Sequence, residues 1–88
     1  MTAPILLVED HGSLAEMLEE TLRREGWAVE TVARGDEAAA RLASGDRYLA
    51  VLTDLRLPGA TGLDVLAAAR RADPLLPVFL ITAYASVE

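Results

Sequence analysis

The sequence predicts an α/β protein, a doubly wound parallel sheet built in the order βαβαβαβ. Two observations support this: short apolar runs alternate with helical segments, and polar residues follow the apolar runs. The first run, Ile5-Leu6-Leu7-Val8, is apolar throughout and too short for a helix, which is typical of a strand covered on both faces. We therefore expect helices on both faces and right-handed crossovers.

Three further segments are predicted to be strands. Trp27–Val32 alternates and is rich in residues that favour strands. Tyr48–Thr53 and Pro77–Ile81 are apolar runs followed by Asp54 and Thr82 respectively. A polar residue therefore follows the carboxyl end of each of the last two predicted strands.

Three helices connect the strands, and a fourth is expected to begin near the end of the chain. The first is predicted to begin with a capping box, with Ser13 at the N-cap and Glu16 three residues later. The second starts at Gly35-Asp36, where acidic residues complement the positive end of the helix. The third covers Leu63–Ala72 and has two arginines in its last turn.

Composition excludes several classes of function. The 88 residues carry a net charge of −6 and contain no Cys, which excludes disulfides and thiolate sites and disfavours nucleic acid as a direct partner. No apolar run approaches the ~20 residues that span a bilayer. No basic region precedes the first apolar run, so we expect no signal peptide. The expected location is the cytoplasm, without a membrane partner.

Polar side chains follow three of the predicted strands. Glu9 and Asp10 come after the first, Asp54 after the third and Thr82 after the fourth. In open parallel sheets, ligands bind at this edge. Three carboxylates that meet there would repel one another unless a hard cation such as Mg²⁺ joined them. An exposed aspartate beside Mg²⁺ is suited to attack phosphorus, and a threonine hydroxyl can bond a phosphoryl oxygen.

Three motifs in this order resemble the receiver domains of bacterial two-component response regulators. The motifs are Leu6–Asp10, Leu52–Gly62 and Ile81–Tyr84, and the resemblance extends over essentially the whole chain. The tail Thr82–Glu88 is similar to receivers attached to enhancer-binding AAA+ transcription activators.

The resemblance implies a role for each residue of the cluster. Asp54 would be the phosphoacceptor and Thr82 the switch hydroxyl. Glu9, Asp10 and Asp54 would hold Mg²⁺ together with the backbone carbonyl of Arg56. The partner implied is a sensor histidine kinase, and the chain would control a transcriptional output domain in a longer protein. Such a module catalyses its own phosphorylation and dephosphorylation, so we do not expect a turnover enzyme.

The chain departs from the family at its C-terminal end. Receivers have a fifth strand with a functional lysine and a last helix, whereas this chain contains no lysine and ends at Glu88. The expectation is a flavodoxin-like receiver fold over residues 1–88, incomplete at the C-terminus, with the sheet order 2-1-3-4. That order leaves the apolar fourth strand, Val78–Ile81, at an edge, where we hypothesise pairing with a second copy.

Other interpretations remain open. The absent lysine is compatible with a pseudo-receiver that acts as a protein-interaction module without phosphate. A phosphatase with a strand-end aspartate is a poor match because Arg56 occupies the position of its usual second acid. A dinucleotide-binding domain would need G-x-G-x-x-G in the first turn, which has none. His11 is a tempting metal ligand, but an exposed loop residue is the simpler interpretation.

Overall fold

A computed structural model describes residues 3–81 as one sheet with three helices. The strands alternate with the helices, as predicted. The elements are β1 Ile5–Val8, α1 Gly12–Arg24, β2 Val29–Val32, α2 Gly35–Ala43, β3 Ala50–Asp54, α3 Gly62–Ala72 and β4 Val78–Ile81. Observed strand boundaries differ from the predicted ones by one or two residues.

The sheet has the order β2-β1-β3-β4, and every pair of neighbouring strands is parallel. This confirms the predicted doubly wound sheet and its strand order. In the register of β1 and β3, Val8 lies opposite Thr53, and in that of β3 and β4, Asp54 lies opposite Ile81. The carboxyl ends of the three strands therefore reach the same edge of the sheet.

The helices lie on both faces of the sheet. On one face, α2 and α3 pack together over a buried cluster that includes Leu6 and Val8 of β1 and Val51 of β3. On the other, α1 contacts β1 and β2 and touches neither α2 nor α3. Because side chains alternate along a strand, Ile5 and Leu7 point to the α1 side, and both are buried. Residues from both faces thus hold β1 in the centre of the sheet.

The predicted capping box at Ser13 and Glu16 is wrong. Helix α1 begins two residues earlier, with His11 at the N-cap in an extended conformation and no side-chain hydrogen bond to the cap. The His11 N–H donates to Glu9 Oε2 at 3.1 Å, and this turn brings Ser13 inside the first turn of the helix. A capping box does form at α3, where Thr61 Oγ1 accepts from the Asp64 N–H at 3.3 Å.

Strand β4 forms one edge of the described sheet. Phe79 is 55% exposed and Leu80 is 44% exposed, so two large apolar side chains face outwards there. The helix predicted to follow Thr82 lies outside the described residues. Within residues 3–81, no helix is both long enough and apolar enough to cross a membrane.

Candidate functional site

Glu9 and Asp54 leave the sheet side by side. They directly follow Val8 and Thr53, which face each other in the register of β1 and β3. Both acids are nearly inaccessible, with Glu9 2% and Asp54 3% exposed. The structure thus brings together two of the carboxylates that the sequence predicted at this edge.

The Glu9 carboxylate is buried and only partly satisfied. Its Oε2 accepts from the His11 N–H, but its Oε1 has no hydrogen-bond partner, and no other side-chain N or O atom buried within residues 3–81 lacks one. Burial raises the pKa of the Glu9 carboxyl above its ordinary value of 4.5, and the charges of Asp54 and Asp10 raise it further, against the His11 hydrogen bond. A buried oxygen in such surroundings is suited to a cation.

Hydrogen bonds from its two chain neighbours hold both the carboxylate and the backbone carbonyl of Asp54. The Leu55 N–H donates to Asp54 Oδ1 at 2.7 Å, and the Thr53 hydroxyl donates to the Asp54 carbonyl at 2.9 Å. The expectation of an exposed aspartate is wrong: Asp54 is buried at the end of β3, which lies between β1 and β4 in the sheet. The candidate acceptor Asp54 is therefore buried at the carboxyl edge of the sheet, and a reacting group must approach it there.

The loop after Asp54 is packed closely at both of its ends. A Cβ at Gly62 would lie 2.4 Å from the Asp54 carbonyl oxygen, and the Gly62 N–H donates to the Leu55 carbonyl at 2.8 Å. A Cβ at Gly35 would lie 2.0 Å from the Ala60 carbonyl oxygen, and the Gly35 N–H donates to Pro58 at 3.0 Å. Glycine at these two positions lets α2 and α3 approach the loop.

The remaining predicted residues have different outcomes. Asp10 is exposed at the end of β1, and Arg56 lies in an exposed turn two residues past Asp54. Thr82, the predicted switch hydroxyl, lies outside the described residues. Within residues 3–81, the acidic and histidine side chains that come close enough to share a metal are Glu9, Asp10 and His11, whose ligand atoms lie within 4.8 Å of one another.

Sequence reasoning missed the place of His11 and the importance of two glycines. The signal for His11 was its position directly after Glu9 and Asp10. Gly35 gave no usable signal, because its need to be glycine arises from a loop distant in sequence. Gly62 entered the sequence analysis only as the last residue of the motif Leu52–Gly62.

Comparison with known proteins identifies the family. Residues 5–88 match the response regulator receiver domain. The chain is 44% identical over 84 residues to the probable transcriptional regulatory protein TcrX of Mycobacterium tuberculosis, covering 96% of this chain and 36% of TcrX. The chain spans about a third of the length of the curated relatives it matches.

Solved structures agree with this assignment. The response regulator TrrA of Thermotoga maritima, in complex with Mg²⁺–BeF, has a TM-score of 0.85 and 35% identity, covering 97% of this chain and 72% of that one. TrrA in complex with the histidine kinase ThkA has a TM-score of 0.83 and 34% identity, covering 100% of this chain and 74% of that one. With the matching family model and the matching fold, this chain belongs to the response regulator receiver domains.

Proposed function

We propose that this chain is a phosphoacceptor module that receives a phosphoryl group on Asp54. The observation that carries the proposal is the pair of buried carboxylates, Glu9 and Asp54, at the carboxyl edge of a parallel sheet. Two adjacent buried acids destabilise the fold unless the site has a cationic ligand, so a function is needed to account for them.

The proposed reaction is a transfer from a phosphohistidine of a sensor kinase. The Asp54 oxygen that does not hold the Leu55 N–H attacks phosphorus, a new O–P bond forms, and the P–N bond to the imidazole breaks. The imidazole of the kinase leaves with the electron pair of that bond. The Leu55 N–H orients the nucleophile from the opposite oxygen.

The residues of the site fit Mg²⁺. Glu9 supplies a buried oxygen without a partner, Asp10 and Asp54 supply carboxylates, and Arg56 would supply its backbone carbonyl. Bound Mg²⁺ would neutralise charge that develops on the transferred phosphoryl group. Thr82 would bond a phosphoryl oxygen; in the sequence it directly follows Ile81, which pairs with Asp54.

The kinase partner and the output are proposed from the relatives. The complex between TrrA and the histidine kinase ThkA supports a kinase partner. The relative TcrX, a probable transcriptional regulatory protein, supports a transcriptional output domain, and we propose that the longer chain acts in the cytoplasm. The chain would act stoichiometrically, since it carries one phosphoryl group rather than turning over a substrate.

The test is intact-mass spectrometry after incubation with a small phosphodonor such as acetyl phosphate. We expect an adduct of one phosphoryl group that requires Mg²⁺ and is absent in Asp54→Asn. Asp73→Asn is the matched control, because Asp73 is an exposed aspartate at the C-cap of α3, whereas the residue that packs against Asp54 is Gly62 at the start of that helix. An adduct that persists in Asp54→Asn, or the absence of any adduct on the folded chain, would refute the proposal.

The alternative is a pseudo-receiver that binds partners without phosphorylation. The same spectra separate the two functions, because a pseudo-receiver retains its mass under all conditions. Pairing of two copies through the exposed β4 edge remains a hypothesis, and light scattering over a range of concentrations tests it.

A further inference from the structure

The segment between β1 and α1 presents a second combination of metal ligands. One oxygen each from Glu9 and Asp10 and one imidazole nitrogen from His11 lie within 4.8 Å of one another. Ligands bound to one ion at about 2.1 Å are separated by about 3–4 Å. Small side-chain movements would therefore suffice to bring the three ligand atoms around one ion.

A second observation points to a ligand at this place. Glu9 is 2% exposed, yet its Oε1 has no hydrogen-bond partner. A buried carboxylate oxygen without a partner costs free energy that coordination to a cation removes. The other two side chains are exposed, so an ion can enter from solvent.

We propose that Glu9, Asp10 and His11 bind divalent transition-metal ions such as Ni²⁺, Co²⁺ or Zn²⁺, with the His11 imidazole as a direct ligand. Imidazole nitrogen is a preferred ligand of these ions, whereas Mg²⁺ prefers oxygen ligands. The two kinds of ion would therefore occupy different sides of Glu9 and Asp10, the acids that both would use. Mg²⁺ would use Asp54, and a transition metal would use His11.

This inference partly rests on the proposed function, because the two ions share Glu9 and Asp10. It predicts that they compete. A transition metal bound through His11 would remove both shared acids from the Mg²⁺ site while making no use of Asp54. The chain would then sense metal as well as phosphate.

The test uses the untagged 88-residue chain and isothermal titration with NiCl₂ and, separately, MgCl₂. We expect His11→Ala and His11→Asn to weaken Ni²⁺ binding about tenfold or more, because even the loss of an outer-shell partner costs about 10–100-fold. Mg²⁺ affinity should change far less. Circular dichroism checks that either replacement leaves the fold intact.

A spectroscopic measurement identifies the ligand directly. His11 is the only histidine and the chain has no cysteine, so an imidazole signal has a single source. We expect Ni²⁺ to broaden the His11 ring resonances in NMR spectra before those of distant residues, and excess Mg²⁺ to raise the apparent Kd for Ni²⁺.

The outcomes separate this inference from the proposed function. Ni²⁺ binding that is unchanged in both His11 variants, or that is not detected in the wild type, would overturn the inference; Mg²⁺ binding that depends on Asp54 would still support the phosphoacceptor site. Ni²⁺ binding that depends on His11, without Mg²⁺ binding, would support the inference and count against the proposed function.

Discussion

Replacing Gly62 by alanine tests whether close packing holds the acceptor in place. Each of the three helices within residues 3–81 begins with glycine, at Gly12, Gly35 and Gly62. The added Cβ at Gly62 would lie 2.4 Å from the Asp54 carbonyl oxygen and 2.9 Å from Leu55 Cα, whereas ordinary contacts begin at 3.4 Å. Both neighbours are backbone atoms, so the strand end or the helix start must move by roughly an ångström.

The expected cost is about 1–3 kcal/mol in the free energy of unfolding, the range for inserting a methyl group into a packed site. Gly12→Ala is the matched control, because Gly12 is also the first residue of its helix and a Cβ there meets nothing within 4 Å. Both substitutions change helix propensity in the same way, so their difference isolates the clash. Gly12→Ala should be neutral or stabilising by about 0.4–1 kcal/mol.

The assay is urea denaturation followed by circular dichroism, with Mg²⁺ titrations of each folded variant. We expect Gly62→Ala to lose affinity for Mg²⁺ because the displaced backbone carries Asp54. If the two alanine variants unfold within about 0.5 kcal/mol of each other, the packing argument is wrong.

Three further predictions concern charge, pH and the core. Glu9→Gln should stabilise the metal-free chain at neutral pH and weaken Mg²⁺ binding, since the raised pKa of Glu9 means that its charge opposes folding above pH 4.5; thermal melts with and without Mg²⁺ test this, and a less stable metal-free variant would contradict it. Burial and the hydrogen bond to Glu30 raise the pKa of Tyr48 from 10.0 to about 12, so the contribution of Tyr48 to stability should be constant below pH 10.0 and be lost as the pH rises to about 12. Tyr48→Phe should lack this alkaline fall in urea titrations, and an unchanged fall would refute the assignment. Leu42→Ala should cost about 2–5 kcal/mol in urea denaturation because Leu42 is 2% exposed, and Leu75→Ala, at 88% exposed, should cost less than about 0.5 kcal/mol; equal losses would contradict the described core.

The sheet could be predicted from sequence because its strands are buried on both faces. An apolar run such as Ile5–Val8 excludes most alternatives, and the parallel order then brings Glu9 and Asp54 to one edge. The start of α1 could not be predicted in the same way. Its position depends on the Glu9 side chain, which binds the His11 N–H and competes with the local preference of Ser13 for a cap.

The sequence pattern could not predict features that depend on contacts between residues far apart in the chain. The burial of Asp54 follows from its central strand, and the need for glycine at position 35 follows from the loop at Ala60. Motif spacing carries information on which residues meet, but not on how closely the backbones approach or which oxygen lacks a partner. The closeness of the backbones and the missing hydrogen-bond partner decide whether an acid at a strand end is a solvated group or a metal ligand.

The hydrogen bond from the Gly35 N–H to the Pro58 carbonyl has a consequence for motion. It joins the start of α2 to the loop after the acceptor, and the contact with Ala60 leaves no space for them to slide past each other. A rearrangement of that loop must either carry α2 with it or release this amide to solvent. Hydrogen exchange at the Gly35 amide therefore distinguishes the two cases. The amide stays protected if α2 moves together with the loop, and it exchanges if the loop moves alone.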